Sequence, residues 1–374
     1  MMLGLPVVFA VVLTQAPAPA RAGFGLQSLN PDISLVTDIA AAVFSSEENF
    51  QTGAHDPRKS GFNLQQLELA VGAAVDPYFR FDSNIVFAEE DGEVKVEVEE
   101  VYATTLALPA GVQMRAGQFL TRFGRLNHTH PHTWAFADQP FALGRVFGAD
   151  GNHGLGVEAS WLMPLPWFLE LVGSATDAAG EETARSFLGA EDVEVKSPLD
   201  FQLTGAVKQF HELRDDLSLF WGLSAANGPN PTGENKRTTI YGADVYLKYR
   251  PLTEGSTTQV SFQGEVFYRR RRIPDALLTD WSGYGQLFWR FAQRWGSAAR
   301  YELGSPAEGG IDPLDPEWTS FRHRVSANVT FWPTEFSRLR LQGSADVPTF
   351  EEAPVYAVFL AFEFSVGAHG AHAF

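Results

Sequence analysis

The sequence predicts an all-β chain folded as a transmembrane antiparallel β-barrel of about sixteen strands, and three observations carry that prediction. Apolar and polar residues alternate in pieces of strand length, the period of a pleat with one face in lipid and one in water. The connections between those pieces alternate between long and short. No run of eighteen or more apolar residues occurs beyond the N-terminus, which excludes helical spans. A mean hydropathy of -0.11 is what two opposite faces average to.

The N-terminal MMLGLPVVFAVVLTQAPAPARA has an apolar core and an Ala20-Arg21-Ala22 pattern, so residues 1–22 are expected to be a signal peptide and 23–374 one barrel domain. The first strand is expected over Ile33–Phe44, followed by a polar loop and then Leu64–Val75. Tyr78–Phe87 sets Phe79, Phe81, Ile85 and Phe87 against Arg80, Asp82 and Asn84. Val94–Leu108 opposes Val94, Val96 and Val98 to Lys95, Glu97 and Glu99, and Val112–Leu120 follows a Pro-Ala-Gly turn. Beyond residue 153 come Gly154–Met163, Trp167–Thr176, Leu199–Phe210, Leu217–Ala226, Thr238–Arg250 and Thr257–Arg269. The last five are Leu278–Phe291, Gly296–Leu303, Trp318–Phe331, Arg338–Asp346 and Val355–Val366. Most are near the ~9–11 residues a tilted strand needs to cross a bilayer.

Links from odd to even strands are mostly long and polar (45–61, 122–153, 177–198, 227–236, 270–277, 304–317), whereas even-to-odd links are tight turns. Long external loops, short periplasmic turns and an even strand count belong to a bacterial outer-membrane barrel. Only closure removes unpaired edges in lipid. A soluble sandwich or propeller would also give regular strands. It would not give strands this long, that alternation of links, or Trp and Tyr near strand ends.

Residues 122–153 interrupt the pattern. RFGRLNHTHPHTWAFADQPFALGRVFGADGNH carries four of the nine histidines and shows no period of two or of 3.6. A stretch this long without regular structure is usually functional. It is expected to fold into the pore. Three pieces, LNPDISL at 29–35, ALPAGVQMRAGQFLTRFGRLNHTHPH at 107–132 and the AHGAHAF tail, resemble a group of porin-like bacterial outer-membrane proteins, some named for zinc-regulated receptors. More distantly the chain is similar to phosphate-selective porins. The resemblance to sixteen-stranded porins implies an inward third external loop and a homotrimer, and Phe374 matches their terminal aromatic. A TonB-dependent receptor would need a plug domain and more strands than this length allows, so an open or semi-open channel is the better expectation.

Charges on the polar faces segregate along the chain. Glu68, Asp82, Glu97 and Glu99 fall on early strands; Arg269, Arg290, Arg322, Arg324, Arg338 and Arg340 fall on late ones; Arg122, Arg125 and Arg145 lie in the long loop. Opposed acidic and basic walls at a constriction would set up a transverse field that selects among ions; ordinary lumenal salt bridges are the other reading. His128, His130 and His132 alternate, with His153 and Asp138 nearby, which would suit Zn²⁺ if the ligands converge. A polar loop bonded to the barrel wall explains the same residues without a metal or any other cofactor. His369 and His372 are read as a disordered tail rather than a site.

A net charge of -17 argues against nucleic acid as a partner, and the lack of cysteine excludes thiolate chemistry. No G-x-S-x-G elbow, Walker loop or dinucleotide turn occurs in context, so no enzyme is expected. The expected activity is passive diffusion of small hydrophilic solutes or ions across the outer membrane, with lipid around the barrel. Metal-related uptake through the His-rich loop and a sealed structural or adhesive barrel are the alternatives.

Overall fold

Sixteen strands form one closed ring in which each pairs antiparallel with its neighbours in sequence and β1 meets β16. The computed structural model describes residues 31–90, 93–180, 182–191, 195–253 and 256–367. The expected signal peptide and the tail with His369, His372 and Phe374 lie outside the described residues. The first eight strands are β1 (Asp32–Phe44), β2 (Gly61–Ala74), β3 (Phe79–Glu90), β4 (Glu93–Thr105), β5 (Val112–Leu120), β6 (His153–Leu162), β7 (Phe168–Thr176) and β8 (Gln202–Arg214). The rest are β9 (Leu217–Pro229), β10 (Arg237–Tyr249), β11 (Gln259–Arg272), β12 (Leu277–Ala292), β13 (Trp295–Gly304), β14 (Arg322–Thr334), β15 (Ser337–Pro348) and β16 (Val355–Gly367). The closing ladder runs from Ser34 opposite Gly367 to Phe44 opposite Ala357.

The alternation read from the sequence is the alternation of faces. Val94, Val96 and Val98 of β4, Phe262 and Val266 of β11 and Tyr356 and Val358 of β16 stand exposed on the outer surface. On β11, β14 and β15 the inward positions are buried and polar: Glu265 and Arg269, Arg322 and Arg324, Arg340 and Gln342. Trp167, Trp289, Trp295 and Phe336 stand exposed at the end of the short turns, as ring-bearing residues do where a bilayer meets water. Trp318, expected to open a strand, belongs instead to the segment 305–321 ahead of β14, and its ring is buried inside the barrel.

Among the register irregularities of the described strands, those in β2 and β4 alter the parity beside the loop. In β2 the register slips between Asp38 and Ile39 of β1, so the successive residues Gln65 and Gln66 are both buried. In β4 it slips between Asn84 and Ile85 of β3, so Glu99 and Glu100 are both buried. An extra residue in one strand turns two adjacent side chains to one face, and here both pairs are amides or carboxylates beside the inward loop. Beyond that point β4 and β5 pair only from Val101–Thr104 to Gln118–Arg115, because the chain leaves the wall after Leu120.

Candidate functional site, a loop held inside the barrel

The segment 121–152 between β5 and β6 turns into the lumen and is packed there. Its middle forms one short helix, α1 (Phe141–Phe147), all seven residues of which are buried. Pro140 stands at the N-cap, where a missing N–H costs nothing, and Gly148 ends the helix at φ 109. A Cβ on Gly148 would sit 2.4 Å from the Glu182 carbonyl oxygen, so the close approach also needs glycine.

An apolar cluster locks this segment. Phe123, Phe141 and Phe147 of the loop meet Phe187 of the 177–201 connection, Trp318 of the 305–321 connection and Phe267 and Ile240 of the wall. Three wall glycines make the sockets. A Cβ on Gly242 would lie 2.5 Å from the Phe123 ring, one on Gly228 2.7 Å from Phe187, and one on Gly304 2.6 Å from Trp318. The glycines remove side chains where loop aromatics seat against backbone, which is how a close-packed interior avoids voids and overlap.

Charge complementarity holds the rest. On the acidic side His130 lies between carboxylates: its Nδ1 is 3.0 Å from Glu99 and its Nε2 3.1 Å from Glu100, while Glu68 is 3.1 Å from Nδ1 of His132. Burial opposes a charge on His130, but Glu68, Glu99 and Glu100 outweigh it and hold its pKa well above the usual imidazole range. Across the lumen, the fully buried Asp138 accepts hydrogen bonds from Arg300 (2.7 Å), Gln342 (2.7 Å) and Arg324 (3.4 Å). Glu265 of β11 accepts from the backbone N–H groups of Arg125 (3.0 Å) and Leu126 (2.8 Å). Glu302 of β13 accepts from the Phe141 N–H at 2.6 Å.

The residues singled out from the sequence divide accordingly. Arg122 pairs with Glu158 and Glu170, each at 2.8 Å, and buried Arg145 lies 3.4 Å from Asp315 with its guanidinium over Trp318. Arg269 is shared among Asp280, Asp312 and Asp315; Arg322 and Arg324 converge on Asp346; Arg338 pairs with Glu363. The opposed acidic and basic walls therefore exist as positions on the ring, but loop and strand partners neutralise most of the basic one. Buried cations need such counterions, since desolvating a lone charge is far costlier than pairing it. Asp82 pairs with Arg80 at 2.9 Å, and Arg290 is half-buried over Trp332, beside the 293–294 turn and away from the loop. Glu97 is half-buried, and with Glu99 and Glu182 it raises the pKa of Asp150, whose burial is the larger cause.

The four histidines do not converge. His130 and His132 stack with ring centroids 5.8 Å apart against the acidic wall. Burial first, then Lys208, Arg125 and Arg122, push the pKa of His128 well below the imidazole range, so it stays neutral among cations. His153 begins β6, where its N–H donates to Thr183 at 3.0 Å. Pro131 and the short turn after it send alternate imidazoles to different partners, and among the described residues no group of three or more His, Asp or Glu could hold a metal ion.

The docked segment divides the lumen. Below it, toward the short turns, lies a cavity of about 560 Å³ bounded by Arg125, Trp134 and strands β10, β11, β12, β14 and β15. Above it, among the long connections, lies one of about 490 Å³ bounded by Gly144, Gly148 and Arg185. Between them sit α1 and the aromatic cluster.

No family model matches the chain. A protein of Aquifex aeolicus (strain VF5), described as uncharacterized, is 32% identical over 94% of this chain and 81% of its own length. Among solved structures, the outer-membrane channel DcaP of Acinetobacter baumannii superposes with a TM-score of 0.61 at 11% identity, covering 90% of this chain and 96% of that one. The trimer form of OmpT, an outer-membrane protein of Vibrio cholerae, gives 0.57 at 9% identity over 90% and 99%. At these identities the likeness is one of fold.

Proposed function

We propose that this chain, which belongs to one family with the Aquifex aeolicus protein and has the fold of outer-membrane porins, is an outer-membrane channel for small hydrophilic solutes or ions, throttled by its inward loop. The observation that carries this reading is the placement of 121–152 between cavities of about 560 and 490 Å³ inside a closed barrel. Polar side chains share the lining of those spaces with a few rings, and exposed apolar ones face outward, as passage through a lipid layer demands. Passive diffusion needs no further machinery: a solute crosses whatever gap the docked loop leaves, or the wider one left when it shifts.

The aromatic cluster across the lumen favours a second reading, a barrel sealed for good. Planar-bilayer recording of the purified protein separates the two. Stepwise openings of small conductance, enlarged when Asp138→Asn loosens the loop, support the channel. A silent bilayer from both proteins, each shown folded by its shifted gel mobility before heating, overturns it. The trimer form of OmpT supports a homotrimer here as well, which light scattering in detergent would read directly as three chains per particle.

A further inference from the structure

The cavity beneath the loop has a chemistry that general filtration does not require. At about 560 Å³ it falls within the range of pockets that enclose small organic ligands. Arg125, Arg338 and Arg340 line it, and among the described residues no carboxylate does. Arg338 is paired with Glu363, so Arg125 and Arg340 are the cations that give the cavity its sign, and a site of this sign repels metal cations and attracts anions.

Arg125 is the group set out for a ligand. Its guanidinium sits 3.9 Å from the Tyr246 ring centroid and 5.4 Å from that of Phe220, and no described carboxylate pairs with it. Glu265, which accepts from the Arg125 backbone N–H, is occupied by that group, by the Leu126 N–H and by the Tyr284 hydroxyl. Stacking therefore fixes the guanidinium while leaving its fork of N–H donors open, and a pre-ordered fork suits a carboxylate. Buried Arg340 donates to the Trp134 carbonyl at 2.9 Å, and its Nε has no partner.

Between the polar side chains of Gln259, Ser261, Gln263, Gln286 and Thr330, flat rings form part of the remaining wall. Trp134 is held by its indole N–H, which bonds to Thr129 at 3.1 and 3.0 Å. Phe288 and Trp332 meet edge to face with centroids 6.3 Å apart. Rings fixed in this way favour a planar aromatic body laid against them. We propose that this cavity binds an aromatic carboxylate, with the carboxylate on Arg125 and the ring against Trp134 and Trp332.

The inference rests on the channel reading, because it names the class of solute that lingers on the path. It is tested without a membrane. The full-length barrel in non-ionic micelles is titrated calorimetrically with benzoate, with uncharged benzamide and with acetate, against micelles alone. Benzoate is expected to bind saturably, one per chain, at least tenfold more tightly than either control. Arg125→Gln should bring it down to the benzamide level, and Trp332→Leu should weaken it threefold or more in protein of unchanged gel mobility. Benzoate no tighter than benzamide, or full binding to folded Arg125→Gln, overturns the proposal. A barrel that conducts but ignores benzoate sinks this inference alone, and one that binds benzoate in a silent bilayer sinks the channel alone.

Discussion

Replacing Asp138 with Asn should release the inward loop without unfolding the barrel. The Asp138 carboxylate has no exposed surface and receives Arg300 and Gln342 at 2.7 Å and Arg324 at 3.4 Å. Removing one partner of a buried ion pair costs about 3–5 kcal/mol, because the other charge stays desolvated. Here Arg300 retains Glu302 at 2.8 Å and Arg324 retains Asp346 at 2.7 Å, so the low end, about 3 kcal/mol, applies. Each 1.4 kcal/mol is tenfold in an equilibrium, so the undocked population should rise about a hundredfold. The chain has no cysteine, so a single Ala142→Cys reports on one position. Ala142 is fully buried in α1, and a thiol there reacts with a maleimide only when the loop opens. Thr133→Cys, at an exposed position, supplies the reference rate. Labelling at 142 should accelerate about a hundredfold in Asp138→Asn relative to that reference, from the population argument above. Acceleration within about threefold of the parent would refute the idea that this carboxylate holds the loop.

The same reporter gives a pH prediction. Because the folded pKa of His130 lies well above its unfolded value of about 6.5, its stabilisation is complete below that value and drains as pH climbs through the folded pKa. Reference-corrected labelling should therefore rise on the alkaline side, and His130→Gln should abolish the slope. The variant should also label about ten- to a hundredfold faster at neutral pH, the worth of a hydrogen bond to a charged group; equal slopes in both proteins would count against the pairing. A second test uses the sockets. Gly242→Ala drives a methyl to within 2.5 Å of Phe123, whereas Gly205→Ala meets nothing nearer than 3.8 Å. Overpacking of this kind costs about 1–3 kcal/mol, so labelling at 142 should quicken in the first variant and stay level in the second.

The strands were legible because lipid on one face and water on the other write a period of two into each of them, and every expected strand overlaps one observed. Other features left no such mark. Glu99 and Glu100 sit in a run of valines and glutamates where an added residue is invisible, so Glu100 escaped notice although it meets His130 at 3.1 Å. The helix FALGRVF, apolar but for Arg145, is too short to show a period. Trp318 reads as a strand residue from its ring alone, yet it is a plug residue inside the barrel. The partners of the inward arginines, among them Asp138, Asp312, Asp315 and Asp346, stand far away in sequence or look like ordinary loop acids. One signal was available: many inward cations on late strands imply buried counterions somewhere.

The direction of synthesis gives the glycine sockets a further meaning. Phe123 precedes Gly242, and Phe187 and Trp318 must find Gly228 and Gly304, all on strands later than the loop between β5 and β6. Phe123 and Phe187 are therefore made before their keyholes, whereas Trp318 follows its own, and contacts such as Arg324 to the Phe50 carbonyl join residues 274 positions apart. Pairings so distant form slowly. A ring that closed one register out would turn the keyholes toward lipid. The aromatic plug thus acts as a gauge of assembly, seating only in a barrel whose late strands have arrived in the right order and phase.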